Sequence, residues 1–176
     1  MNPNSERIQI IQDDITRLEV DAIVNAANRT LLGGGGVDGA IHRAAGFKLR
    51  LYCAKLGGCA TGQAKITPGF KLPAKWIIHT VGPVWRGGRQ GEPDLLAGCY
   101  RHSLELAAAY PIKTIAFPAI STGVYGYPLA QATAVALREI ARFLSQDAAI
   151  TQIYLVSYGS QANAIMQQVY REVFLP

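Results

Sequence analysis

Apolar positions along this chain follow two rhythms. Short, β-branched runs predict strands at Arg7–Ile11, Asp21–Asn25, Gln63–Thr67, Trp76–Val81, Thr114–Phe117 and Gln152–Val156. Pro68, the Gly82-Pro83 pair and Pro118 punctuate them. Elsewhere the spacing is helical. Ala132, Val135, Ala136, Ile140 and Phe143 share one face of a helix predicted over 128–145. Leu95, Leu96, Cys99, Leu106 and Ala107 do the same over 94–109, and further helices are predicted over 37–45 (stopped by Gly46), 47–55 and 162–173. Late in the chain strands and helices alternate, which predicts an α/β architecture with helices on both faces of the sheet. The strands near the N-terminus are expected as antiparallel additions. No repeat or biased linker interrupts the pattern, so residues 1–176 read as one domain.

Composition narrows the class. With 49% hydrophobic and 16% charged residues in 176, the chain can bury a full core and is not a disordered sequence. Its apolar runs are too short to span a bilayer, so no membrane association is expected. The start, Met1 to Arg7, lacks the layout of a secretory signal. Cys53, Cys59 and Cys99 are odd in number and lack CxxC spacing, which reads as reduced thiols rather than a disulfide frame or zinc site. A soluble, cytoplasmic protein is the expectation.

Charge changes the picture more by its distribution than by its total of +5. From Gly39 to Gly91 there is no acid, against nine bases: Arg43, Lys48, Arg50, Lys55, Lys65, Lys71, Lys75, Arg86 and Arg89. Such a face attracts anions, or is simply a solvated surface. No aromatic interleaving marks a nucleic-acid module.

Ligands of open α/β sheets bind beyond the carboxyl ends of the strands. After the second predicted strand come Ala26-Ala27-Asn28, four glycines (Gly33 to Gly36) and Val37-Asp38-Gly39. After the fifth comes Ser121-Thr122-Gly123-Val124-Tyr125, and after the last Ser157-Tyr158-Gly159. Glycine loops opening onto helices offer several backbone N–H groups to one anion, and two such loops can hold a diphosphate from both sides. Gly34 to Gly39 fits G-x-G-x-x-G, but no acid follows about 20 residues later and seven residues separate the run from Asn25, so a dinucleotide fold is rejected. Walker A, HExxH and GxSxG motifs are absent. Asp38 and His42, four apart, share a helix face; Asp38 is either a helix-dipole acid or a base for water beside a bound phosphate. His79, inside an apolar run, reads as a satisfied sheet residue, and His102 as a surface one.

Together these pieces resemble a macrodomain of the MacroD type. Asp13-Asp14-Ile15-Thr16, Val20 to Asn28, Leu32 to His42, Leu72-Pro73-Ala74-Lys75, His79 to Pro83 and Phe117 to Gly126 occur in family order over most of the length. The combination NAAN and GGGGVDGAIH is highly specific. The resemblance implies a three-layer α/β/α fold with a mixed central sheet. It implies binding of ADP-ribose, with Asp14 and the Ile15 N–H at adenine and Tyr158 nearby. Gly35, Gly36, Val37 and the loop of Ser121, Thr122, Gly123, Val124 and Tyr125 would hold the diphosphate, with Tyr125 beside the distal ribose. Asn28 and Asp38 would form the polar pair at that ribose, supported by His42. Asp13 departs from the glycine of many relatives.

What the resemblance implies chemically is hydrolysis of acyl esters at the distal ribose, in O-acetyl-ADP-ribose and in mono-ADP-ribosylated Asp and Glu side chains of proteins. No cofactor or metal is called for. Asp38 would deprotonate or orient the attacking water. The other readings are a non-catalytic ADP-ribose binding module and an RNA partner on the 39–91 basic face.

Overall fold

The structure, a computed structural model, describes residues 2–175. Six strands form one sheet: β1 (Ile8–Gln12), β2 (Ala22–Ala26), β3 (Ala64–Pro68), β4 (Trp76–Thr80), β5 (Thr114–Phe117) and β6 (Gln152–Ser157). Five helices flank it: α1 (Gly36–Ala45), α2 (Phe47–Ala54), α3 (Glu92–Ala108), α4 (Leu129–Leu144) and α5 (Ser160–Phe174). The spatial order is β1-β6-β5-β2-β4-β3. The sheet is mixed, but its antiparallel member is β3, paired with β4. The N-terminal strands, expected to be antiparallel, are parallel: β1 lies beside β6, and β2 between β4 and β5.

Alternation along the central strands builds a core on each face. Ala22, Val24, Ile78, Ile115 and Phe117 pack with residues of α3, α4 and α5. Ile23, Ile77, Ala116 and Val156 pack with Ile41, Ala45, Leu49 and Cys53 of α1 and α2. Strands covered on both faces read as continuous apolar runs. Asn25 therefore points, like Ile23, toward α1. On α3 the inner face is Leu96, Cys99, Tyr100, Leu104 and Ala107, while Leu95 is exposed, contrary to its expected place in the apolar stripe.

Elsewhere several sequence expectations shift. His102 is half-buried, its Nδ1 lying 2.6 Å from the Gly62 carbonyl. Lys65 does not belong to the free basic face, because its ammonium donates to the carbonyls of Leu56 (2.7 Å) and Gly58. On α2 Phe47, Leu51 and Tyr52 are exposed beside Lys48 and Arg50. The three cysteines are free and buried, and burial pushes the thiols of Cys53 and Cys99 up to about 11. Among the described residues no helix is long and apolar enough to cross a membrane.

Candidate functional site

Because β1, β6, β5 and β2 run parallel, their carboxyl ends open onto one edge, and the candidate residues line it in that order. Asp14 follows β1 and caps a single 3-10 turn, Ile15–Arg17. Its Oδ1 accepts from the Thr16 N–H (3.0 Å) and hydroxyl (2.7 Å), and chiefly that hydroxyl holds the carboxyl below its usual range. Ile15 is buried beneath it. Asp13 acquires a structural part: its N–H donates to the Ser157 carbonyl and its Oδ1 accepts from the Asp14 N–H, which ties the ends of β1 and β6 together. Tyr158, one residue beyond β6, is 91% exposed over that junction.

The loop after β5 bends sharply. Ser121 takes a left-handed backbone (φ 68°), and its carbonyl accepts from the Tyr127 N–H. A non-glycine residue in that region is uncommon and marks a conformation imposed by its surroundings. The Ser121 hydroxyl is buried with no hydrogen-bond partner among the described residues, and it presses on Gly82, where a Cβ would collide with it. Thr122 turns its hydroxyl to the Ala119 carbonyl (2.8 Å), while Gly123 and Val124 are exposed at the tip. Tyr125 is half-buried, and its carbonyl accepts from the Trp85 N–H (2.8 Å).

The start of α1 follows β2, the strand beside β5. Gly35 is its N-cap, Gly36 and Val37 follow, and a Cβ on Gly35 or Gly36 would meet nothing within 4 Å. The unpaired N–H groups of a helix start, together with the positive end of its dipole, favour an anion in that open space.

Asp38, in the first turn of α1, is 4% exposed. Its Oδ1 accepts from the Asn25 side-chain amide at 2.9 Å. His42 Nε2 stands farther off, at 3.5 Å, and makes no hydrogen bond. The residue that holds Asp38 is thus Asn25, for which the sequence suggested no role. Asn25 Nδ2 also lies 3.1 Å from His79 Nδ1, and His79 Nε2 lies 3.0 Å from Thr67 Oγ1. All three of Asn25, His79 and Thr67 are 0–1% exposed. A reversed Asn25 amide would set an oxygen against the carboxylate. Nδ2 therefore donates both to Asp38 and to His79 Nδ1, which leaves the His79 proton on Nε2, toward Thr67. Burial, reinforced by His42, holds the His79 imidazole down at about 3, so it is neutral.

Burial also raises the Asp38 carboxyl above its usual range, against the opposing Asn25 donor and His42. For His42, burial lowers the imidazole more than Asp38 raises it, with Arg50 adding to the depression. The other carboxylate oxygen of Asp38 and the Asn28 amide both border Gly34: a Cβ there would lie 3.2 Å from Asp38 Oδ2 and 3.5 Å from Asn28 Nδ2. Asn28 shapes its own loop, donating to the Gly33 carbonyl (2.9 Å) and accepting from Thr30 (2.7 Å) and Leu31 (3.2 Å), so one N–H of its amide stays available. Among the described residues no three His, Cys, Asp or Glu side chains converge as metal ligands would.

This arrangement has parallels among known proteins. The Macro domain family matches residues 24–136. A Macro domain-containing protein of Methanosarcina mazei is 60% identical over 162 residues, spanning 92% of this chain and 87% of its own. A protein of Salmonella typhimurium named O-acetyl-ADP-ribose deacetylase is 57% identical over 161 residues, covering 89% of this chain and 90% of its own. Among solved structures, a mutant Oceanobacillus iheyensis macrodomain with ADPR superposes with a TM-score of 0.92 at 41% identity, over 96% of this chain and 94% of the other. A Trypanosoma brucei macrodomain in complex with ADP-ribose gives 0.85 at 44%, over 92% of this chain and 68% of its own. With the glycine-opened helix, the bent loop and the buried carboxylate in the places these comparisons cover, the chain belongs to the macro domain family.

Proposed function

We propose that this protein binds ADP-ribose along the carboxyl edge of its sheet and hydrolyses acyl esters at the distal ribose. Its substrates on this reading are O-acetyl-ADP-ribose and mono-ADP-ribose esterified to Asp or Glu side chains of proteins. Adenine lies at Asp14 and Ile15 beside Tyr158, and the diphosphate between Gly35–Val37 and the Ser121–Tyr125 loop. The distal ribose lies at Asn28 and Asp38, beside Tyr125. Relatives named as a deacetylase and neighbours solved with ADP-ribose support the reading.

The observation that carries it is the state of Asp38. A carboxylate fixed at one oxygen by Asn25, with its other oxygen bordering Gly34 as Asn28 does, and made more basic by burial is suited to accept a proton from water. That water attacks the ester carbonyl, the bond from the acyl carbon to the ribose oxygen breaks, and the proton returns to that oxygen. ADP-ribose and a free carboxylic acid leave. The helix-start amides neutralise the diphosphate and fix the ester, so much of the rate gain comes from orientation.

Asp38→Ala should lower kcat on O-acetyl-ADP-ribose by about 10²–10⁴-fold, the usual worth of a general base. Calorimetric affinity for ADP-ribose should change only a few-fold. Near-normal turnover by the variant would remove Asp38 from the mechanism. A wild type that binds ADP-ribose but cleaves no ester would make the protein a binding module instead.

A further inference from the structure

Beyond β2 the same edge continues to β4, whose carboxyl end leads into a strap, residues 83–91, that the ADP-ribose reading leaves without a part. The strap is built around one buried carboxylate. Glu92, 2% exposed at the first position of α3, accepts from the backbone N–H groups of Arg86 (2.9 Å), Gly88 (2.7 Å) and Gln90 (2.6 Å). Trp85 ties the other side: its N–H donates to the Tyr125 carbonyl, and its ring lies 4.5 Å from that of Tyr127. The strap is thereby joined to the loop placed beside the distal ribose.

Between strap and sheet lies a cavity of about 380 Å³, lined by Arg29, Thr61, Arg86, Gln90, Leu95 and Tyr125 among others. Arg29 directly follows Asn28 and is held by a hydrogen bond from its Nε to Thr61 Oγ1 (3.2 Å). Arg86, which also lines it, is exposed. Among the described residues the one carboxylate lining the cavity is that of Glu92, whose oxygens are taken by the strap's own amides, so the two guanidinium groups, neither paired with a carboxylate, set the sign of the field there. Val84 and Leu95, both partly exposed, add an apolar wall.

We infer that this cavity is the acceptor site: it receives the polypeptide that carries the ester, and Arg29 and Arg86 select acidic residues flanking the modified side chain. The inference rests on the ester-hydrolase reading above. Strand order supports it, because the adenine, diphosphate and ribose positions follow β1, β6, β5 and β2, and the next loop along the row is the strap after β4. A peptide leaving the ribose ester past Tyr125 enters the arginine-lined space. Carboxylates on it would meet planar, bidentate donors.

The test uses O-acetyl-ADP-ribose and two peptides bearing the same glutamate-linked ADP-ribose, one flanked by acidic residues and one by neutral ones. Wild type should favour the acidic peptide by about tenfold in kcat/KM at low salt, less at high salt. Arg29→Gln/Arg86→Gln should erase that preference, and Arg29→Glu/Arg86→Glu should invert it. Both substitutions sit on exposed side chains, so folding is not at issue. If wild type cleaves O-acetyl-ADP-ribose but neither peptide, the acceptor site falls together with the protein-ester half of the hydrolase reading. If it cleaves all three but ignores the flanking charge, the acceptor site is wrong and the hydrolase reading stands. The same holds if the preference survives in the double variants. If no ester is cleaved at all, both readings fall.

Discussion

At the scale of single residues, the catalytic carboxylate of the proposed mechanism depends on groups that never meet the ligand. His79 receives one N–H of Asn25 and thereby fixes the amide that holds Asp38. His79→Gln, which keeps an acceptor and a donor but not their spacing, should lower kcat on O-acetyl-ADP-ribose by about tenfold, one mis-set hydrogen bond's worth, with KM nearly unchanged. A purely structural role would lower stability without that split. The imidazole also predicts a pH effect. Its folded value, about 3, lies below the ordinary 6.5, so it contributes stability that is complete above 6.5 and lost as pH falls toward 3. Denaturant titrations should show wild-type stability declining by up to about 1.4 kcal/mol per pH unit from this group in that window, and a flatter profile for His79→Gln. A variant with the wild-type pH slope would show that His79 titrates normally.

At the scale of elements, the strap is the clearest case of a loop organised by one side chain. Burial works against the Glu92 charge, but the N–H groups of Arg86, Gly88 and Gln90 outweigh it and hold the carboxyl at about 2. Its folded value is depressed, so its contribution is present above the ordinary 4.5 and lost as pH falls through about 2. Glu92→Gln should leave α3 intact yet speed hydrogen exchange at the amides of Arg86, Gly88 and Gln90 by roughly tenfold or more, a local opening rather than a global one. Equal protection in both proteins would mean that the strap is held by Trp85 alone. How much of this was readable follows from locality. Six strands and five helices are visible in the sequence because β-branched runs and 3.6-residue spacing are local signals. Glu92 lay outside the predicted α3, since its function is to collect amides from a non-repeating loop. Asn25 and His79 were hidden for another reason. Each is a single polar residue in an apolar run, and only the register that sets them opposite one another shows that they form a pair. Asp38, Asn28 and the glycine loops announced themselves because their residue types make poor sense without a ligand. The parallel direction of β1 was not legible: an edge strand exposed on one side alternates like an antiparallel one, and its partner lies some 140 residues away.

For the whole molecule, strand order converts sequence positions that are far apart into a linear track. Residues 13–15, 158, 121–125 and 28–38 become neighbours only because β1, β6, β5 and β2 lie side by side with their carboxyl ends together. A ligand with a base at one end and a ribose at the other should therefore read the track by length. In hydrogen exchange, AMP should protect the segments at the β1 and β6 ends, 13–17 and 158–160, and leave 28–37 unchanged. ADP-ribose should protect those segments together with 28–37 and 121–127. Neither should affect 69–75, 109–113 or 146–151, which join elements at the opposite edge. At about one hundred times its Kd, ADP-ribose should add about 2.7 kcal/mol of stability. For a chain of this size that is a rise in Tm of roughly 5–10 °C. Protection of the opposite edge, or protection by AMP of the 28–37 segment in place of 13–17, would reverse or abolish the track. It would also take away the reason for placing Asp38 at the ester.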